Sequence, residues 1–255
     1  MLFKTKILKG YKLDVNDGEI GKAKEFYFDD LNWAVRYLVA DTGNWLTGRQ
    51  VLISPYALIS VNQEAETIGI NLNKKQIEES PSVDNNKLVS KQFEMAYYGY
   101  YGWPAYYTGI HKWGAYPYLM RDIKEQKILK EEEKKSWNPN LRSTNTVSGL
   151  HIQGSDGEIG HVADFIIDDE TWAIRYLIID TKNWWTGKKI MISPKWIDQI
   201  SWNDSKVLIN LSMEVIKKAP EYTEETLLSR DYEIQLHKYY KRKGYWSEKS
   251  EDRLH

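Results

Sequence analysis

The chain has 255 residues, 42% of them hydrophobic and 28% charged, with a formal net charge of −1. No apolar run approaches the ~20 residues that a spanning helix needs, and a near-neutral charge gives no general attraction to nucleic acid or anionic lipid. The absence of cysteine excludes disulfides, thiolate metal sites and a cysteine nucleophile.

At this length one or two domains are expected. The opening segment, MLFKTKILKGYKLDVNDGEIG, turns polar too soon for a signal peptide, so the cytoplasm is the expected compartment. Gly10 onward aligns with Gly149 onward at a constant offset of 139, and 28 of the 72 positions up to Pro81 and Pro220 are identical. Such identity at one register marks a tandem duplication of one folding unit. Weaker matches continue from Leu88, Ser90, Glu94, Tyr100, Tyr101 and Tyr106 to Leu227, Ser229, Glu233, Tyr239, Tyr240 and Tyr245. The expected organisation is a first barrel over 1–82, its tail over 83–107, an aromatic and then charged linker over 108–146, a second barrel over 147–221 and its tail over 222–246.

In chain order, Asn16-Asp17-Gly18 and Ser155-Asp156-Gly157 are turn signals, because Gly tolerates positive φ and Asp closes turns with its side chain. The following segments, EIGKAKEFYFDD and EIGHVADFIIDD, read as strands ended by Asp29-Asp30 and Asp168-Asp169. Trp33 to Ala40 and Trp172 to Ile179 are rich in the β-branched and aromatic residues that suit a pleated sheet. Thr47-Gly48 and Thr186-Gly187 make the next turn, and Val51 to Ile53 and Ile190 to Ile192 form a short strand stopped by Ser-Pro, since proline cannot donate to a ladder. Strands near 57–61 and 67–71 follow. Asn73 and Ser212 are placed to cap a helical turn ahead of Pro81 and Pro220. Ser90 and Ser229 start tail helices whose apolar stripes are Leu88, Phe93, Tyr97 and Leu228, Tyr232, Leu236. Residues 121–135 read as a solvated helix or linker and Ser136 to Val147 as loop. The expected fold class is all-β with added helices: two small β-barrels in tandem, each followed by a short helical tail.

The order D-G-E-x-G, strand, D-D-x-x-W-x-x-R-Y-L-x-x-D-T, x-x-W-x-T-G-(K/R), then a short strand ending in I-S-P, resembles the PRC-barrel family. Tyr100-Tyr101-Gly102-Trp103-Pro104-Ala105-Tyr106-Tyr107 is similar to the closing stretch of bacterial members that carry two such barrels. The resemblance covers about 10–107 and 149–246. The family is named for the cytoplasmic domain of the photosynthetic reaction-centre H subunit, and a related barrel ends a ribosome maturation factor. The resemblance therefore implies PRC-type barrels that bind other proteins in assembly or docking roles, without enzyme activity and without a cofactor. The second copy departs at Lys241-Arg242-Lys243, where the first has Gly102-Trp103-Pro104.

Candidate chemistry is sparse. Asp14-x-Asn16-Asp17-Gly18-Glu19 has Gly at its fifth position, not the sixth that a helix–loop–helix calcium site needs, and the second copy starts with Gln153, so turn chemistry is expected there. Asp29-Asp30 and Asp168-Asp169 read as exposed turns rather than an acid–base pair. His111, His151, His161, His237 and His255 form no ligand-type pair, and no phosphate-binding glycine loop or nucleophile elbow is present. Strand alternation puts Arg36 on a face with Ala34 and Leu38. Arg36 and Arg175 are expected to point outward with their heads on a carboxylate such as Asp29 or Asp41; partner docking is the alternative. Tyr97 to Tyr118 holds ten Tyr or Trp residues in 22 positions. These rings either pack the tail helix onto the barrel or form an exposed patch that marks an interface. Only Lys112 adds a basic charge there, which argues against direct nucleic-acid binding; Lys238 to Lys243 is more basic but suits a solvated helix.

The expected function is thus a non-enzymatic docking or adaptor module with an unknown protein partner. Its candidate surface is Tyr100, Tyr101, Trp103, Pro104, Tyr106 and Tyr107, with Arg36 and Arg175. A ribosome- or RNA-associated factor and a small-molecule-binding barrel are the alternatives. A homo-oligomer is compatible with the sequence, and no metal, cofactor or direct nucleic-acid partner is expected.

Overall fold

The computed structural model describes residues 1–47, 49–84, 89, 91–105, 141–181, 187–224, 226 and 228–247. In chain order the first repeat gives β1 (Leu2–Lys4), α1 (Thr5–Leu8), β2 (Lys12–Val15), β3 (Gly18–Asp29), β4 (Ala34–Asp41), β5 (Arg49–Ile53), a 3-10 turn (Pro55–Ala57), β6 (Leu58–Asn62), β7 (Thr67–Ile70), α2 (Lys74–Glu78), β8 (Val83–Asp84) and α3 (Lys91–Tyr101). The second gives β9 (Leu141–Ser143), α4 (Thr144–Val147), β10 (His151–Gln153), β11 (Glu158–Asp168), β12 (Ile174–Asp180), β13 (Lys189–Ile192), a 3-10 turn (Pro194–Trp196), β14 (Ile197–Ser201), β15 (Lys206–Ile209), α5 (Met213–Lys218) and α6 (Arg230–Tyr239).

The fold is all-β with added helices. One sheet runs β6-β7-β2-β3-β4-β5-β8 with β9 beside β3; the other runs β13-β12-β11-β10-β15-β14 with β1 beside β11. The six strands from β2 to β7 and from β10 to β15 take the same order, and in each sheet one pair, β2–β7 or β10–β15, is parallel. A parallel pair cannot be closed by a tight hairpin, so the chain reaches it only after the intervening strands have folded back.

The chain divides into two compact units that do not coincide with the repeats. One holds Met1, Phe3–Val147 and Phe165–Arg175; the other holds Leu2, Ser148–Asp164 and Tyr176 onward. Within the first unit, Val35 N–H donates to the Trp172 carbonyl at 2.8 Å and Ile174 N–H to the Trp33 carbonyl at 2.7 Å.

Local rules repeat at the same offset. Asp17 accepts the Lys74 amide at 2.8 Å and Asp156 the Met213 amide at 2.7 Å, so each turn carboxylate ties its hairpin to the short helix that follows. Asn73 closes a capping box on α2, and Ser212 and Ser229 cap α5 and α6. Gly21 and Gly160 have φ of +129° and +158°, and a Cβ there would lie 2.0 and 2.2 Å from the carbonyl oxygens of Asp41 and Asp180. Only glycine lets β3 and β11 pass that backbone.

Three expectations need correction. Residues 141–147, expected to be part of a loop from Ser136 to Val147, form the strand β9 and the helix α4. They correspond to β1 and α1 at the 139 offset, and only Leu141, Thr144 and Gly149 keep the identities of Leu2, Thr5 and Gly10, too few to show in the alignment. Arg36 does not point outward: it is 0% exposed. All of β4 except Asp41 is buried, because Tyr37 and Val39 pack under α3 while Arg36 and Leu38 lie on the other, equally covered face. Asp29, expected in an exposed turn, is buried. Leu88, Ser90, Tyr106, Tyr107, residues 108–140 and Leu227 lie outside the described residues.

Candidate functional site

The candidate surface starts at the tail helix. α3 is anchored to the sheet by tyrosines. Tyr97 and Tyr98 are buried with Tyr37, Val39 and Leu52, and half-buried Tyr27, Tyr56, Phe93, Tyr101 and Trp103 surround them. The Tyr97 hydroxyl donates to the Leu52 carbonyl at 2.8 Å and accepts the Ser54 amide at 3.0 Å, while the Tyr37 hydroxyl donates to Glu94 at 3.1 Å. Burial pushes the Tyr97 and Tyr98 hydroxyls well above the ordinary tyrosine range, and burial pushes Tyr56 up to about 12. These phenols stay neutral at physiological pH and act as hydrogen-bonding anchors.

The helix ends in a left-handed residue, Gly102, with φ +68°, and Trp103 N–H closes the turn on the Tyr98 carbonyl at 3.0 Å. That turn sets Trp103 flat on Tyr101, with ring centroids 4.3 Å apart and planes 11° apart, and beside Tyr56 at 5.7 Å. Tyr100 is 41% exposed, yet its hydroxyl donates to the Gln76 carbonyl at 3.0 Å. Pro104 is exposed. The predicted aromatic patch is therefore split: Tyr97 and Tyr98 are core, and Tyr100, Tyr101, Trp103 and Pro104 form a partly open, mutually stacked ridge. Tyr106 and Tyr107 fall outside the described residues.

The second repeat keeps this backbone despite its different side chains. Lys241 takes the Gly102 position with φ +53°, and Arg242 N–H closes on the His237 carbonyl at 3.0 Å. Tyr239 donates to the Val215 carbonyl at 2.6 Å, as Tyr100 does to Gln76. The aromatic stack is replaced by Arg230, whose guanidinium sits 4.5 Å from the Trp246 ring centroid and 5.0 Å from that of Tyr245.

Arg36 and Arg175 belong to turns, not to this ridge. Asp29 accepts Leu31 N–H at 2.9 Å, Asn32 N–H at 3.2 Å and Arg36 Nη2 at 2.9 Å. Asp168 accepts Glu170 N–H at 3.1 Å, Thr171 Oγ1 at 3.0 Å and Arg175 Nη2 at 2.7 Å. Each loop lets Trp33 or Trp172 adopt positive φ, 52° and 55°, a conformation uncommon outside glycine. Burial alone would raise the Asp29 and Asp168 pKa values, but the arginine charges and these hydrogen bonds outweigh it and hold both carboxyls below their usual range. The neighbouring Asp30 pairs with Arg142 at 2.9 Å. The Asp-Asp motif thus builds turns and ion pairs.

Among the described residues no group of three His, Cys, Asp or Glu side chains is placed to hold a metal ion. His151 pairs with Glu158, and His237 is buried against Tyr176 and Glu233; sequence reasoning passed over that cluster, although a histidine replacing Tyr98 at the repeat offset was the available signal. An open cleft of 560 Å³ in the first unit is lined by Glu19, Ile20, Lys22, Asp41, Trp45 and Lys74, among others.

A small mixed β-module with a docked tail helix is the class of protein that this geometry defines. Residues 140–215 match the family model of the PRC-barrel domain, so this part of the chain is similar to that family. The match begins at the strand β9 and ends within α5. No curated protein matches the chain. The first repeat shares the strand order of the matched one and its 28 identities over 72 positions.

Proposed function

We propose that the chain is a non-catalytic docking or adaptor module that holds a protein partner on the ridge closing α3. The observation that carries this reading is the stack of Tyr101 on Trp103, flanked by exposed Tyr100 and Pro104 and fixed from below by buried Tyr97. Aromatic rings held rigid at low entropic cost and left half-open are what a binding anchor needs. The family's docking roles support the same reading. Among the described residues no helix is long and apolar enough to cross a membrane.

The test is a quantitative pull-down from native extract with wild type and the Tyr100→Ala, Trp103→Ala double variant. Unfolding midpoints measured alongside separate lost binding from lost fold. Loss of specific prey with little change in midpoint supports the proposal; an identical prey list refutes it. The small-molecule alternative draws on one observation, the cleft beside Trp45, and a ligand-induced thermal shift abolished by Trp45→Ala would favour it. The ribosome- or RNA-associated alternative has a net charge of −1 against it.

A further inference from the structure

The two units diverge at one buried titratable position. In each, a strand tyrosine donates to a glutamate on the tail helix: Tyr37 to Glu94 at 3.1 Å, Tyr176 to Glu233 at 2.8 Å. One turn further along the helix the first unit has Tyr98 and the second His237, which is 4% exposed.

Both nitrogens of His237 are engaged. Nδ1 lies 3.0 Å from the Lys243 carbonyl and Nε2 lies 3.0 Å from the Tyr176 hydroxyl. A carbonyl only accepts, so Nδ1 carries a hydrogen, and in the neutral ring Nε2 is an acceptor. Tyr176 then has one hydrogen and two acceptors within reach, Glu233 Oε1 and His237 Nε2. The ring also sits against Trp196 and Trp246, at centroid distances of 5.2 and 4.9 Å. It joins four pieces of the second unit: β12 through Tyr176, the 3-10 turn through Trp196, α6 itself, and the 243–246 segment through Lys243 and Trp246.

We propose that Tyr176, Glu233 and His237 form a proton-responsive joint, so that acidification loosens the tail helix of the second unit and leaves that of the first in place. The groups around the ring set the direction. Arg230 on α6 pairs with Glu233 at 2.9 Å, so the one carboxylate of the cluster is already shared with a cation. Lys195 on the 3-10 turn adds positive charge, the exposed Arg242 and Lys243 reach the ring through their backbone, burial keeps Tyr176 and Tyr240 neutral, and Tyr245 faces Arg230. A proton on Nε2 would let that nitrogen donate to Tyr176 and free the tyrosine hydrogen for Glu233. This single hydrogen-bond gain does not offset burying a cation between two indoles next to Arg230. Consistently, burial first, opposed by the Lys243 and Arg242 backbone contacts and reinforced by Arg230 and Lys195, holds the His237 pKa below its ordinary value. The released helix takes up the proton more readily than the docked one, so the docked form loses ground as pH falls from about 6.5 toward the lower, docked value.

The test is amide hydrogen exchange on the full chain, followed by mass spectrometry from pH 7.5 to 5.5 and corrected for intrinsic exchange rates. Protection in the 233–240 peptide falls by up to about tenfold between pH 7.5 and 5.5, the limit set by going about one pH unit below the ordinary histidine value, while the 94–101 peptide holds constant. His237→Tyr, which installs the residue of the first unit, removes the fall. His237→Gln, neutral at every pH, does the same if the tyrosine variant folds poorly. Constant protection over 233–240, a parallel fall over 94–101, or an unchanged pH response in the folded variants each overturns the proposal.

Discussion

Asp29→Asn removes the carboxylate from a guanidinium that has no exposure to solvent. Arg36 is 0% and Asp29 8% exposed at the side chain, with 2.9 Å between Nη2 and Oδ2. The asparagine oxygen can still accept the Leu31 and Asn32 amides, so the turn keeps its shape and the lost quantity is charge compensation. Breaking a buried pair from one side costs about 3–5 kcal/mol, a large part of the 5–15 kcal/mol by which domains are typically stable. The second repeat supplies the control. Arg175 and Asp168 keep 15% and 13% exposure, so water can solvate the arginine after Asp168→Asn, and a loss of about 1–2 kcal/mol is expected. Urea unfolding followed by tryptophan fluorescence reads the difference: with a slope of about 1–3 kcal/mol/M, Asp29→Asn lowers its midpoint by about 2 M and Asp168→Asn by clearly less. Adding Arg36→Met to Asp29→Asn removes the guanidinium as well as the carboxylate and recovers part of the loss. Equal losses in the two repeats, or no recovery in the double variant, would refute the argument from burial.

Gly21→Ala forces a Cβ to within 2.0 Å of the Asp41 carbonyl at φ +129°; a loss of about 2–4 kcal/mol or outright misfolding is expected, and a wild-type thermal midpoint would contradict it. Tyr97→Phe leaves the Leu52 carbonyl and Ser54 amide without their hydroxyl partner and should cost about 1–3 kcal/mol in urea titration without altering the secondary-structure content seen by circular dichroism. Asp29 and Asp168 have folded pKa values below their unfolded ones, so their contribution is complete above pH ~4 and is lost as pH falls through the folded values. Acid titration of stability should therefore steepen below pH ~4 and flatten there in Asp29→Asn. Asp30, raised first by burial, works in the opposite sense and partly offsets this.

Much of the first-order architecture was legible because the signals were local. Gly18 and Gly187, the Asn73, Ser212 and Ser229 caps, and the Ser-Pro strand ends act within four residues, and the structure places them where that chemistry requires. What sequence reasoning missed depended on which surfaces are covered. Strand alternation states which residues share a face with Arg36 and says nothing of what lies above that face. With α3 over Tyr37 and Val39 and core on the reverse side, both faces of β4 are interior. The ridge was half legible for the same reason: the density of rings was visible, whereas the division into core Tyr97 and half-open Trp103 depends on the helix register and on the Gly102 turn.

The repeat comparison also shows which changes the fold tolerates. Lys241-Arg242-Lys243 stands where the first repeat has Gly102-Trp103-Pro104, yet Lys241 adopts the same left-handed φ and Arg242 makes the same backbone bond. A lysine in that conformation costs more than a glycine, so the turn is held by its surroundings: Tyr239 pinned to Val215, and Tyr240 and His237 packed on Trp196. Backbone geometry has been kept while the residues it displays have changed from stacked rings to cations beside Tyr245 and Trp246. Two copies with one scaffold and different displayed chemistry are suited to distinct contacts. Exchanging 102–104 with 241–243 should therefore leave the unfolding midpoint within about 1 kcal/mol in stability while moving partner capture with the aromatic segment; capture that stays with the original helix α3 would place the binding determinants elsewhere.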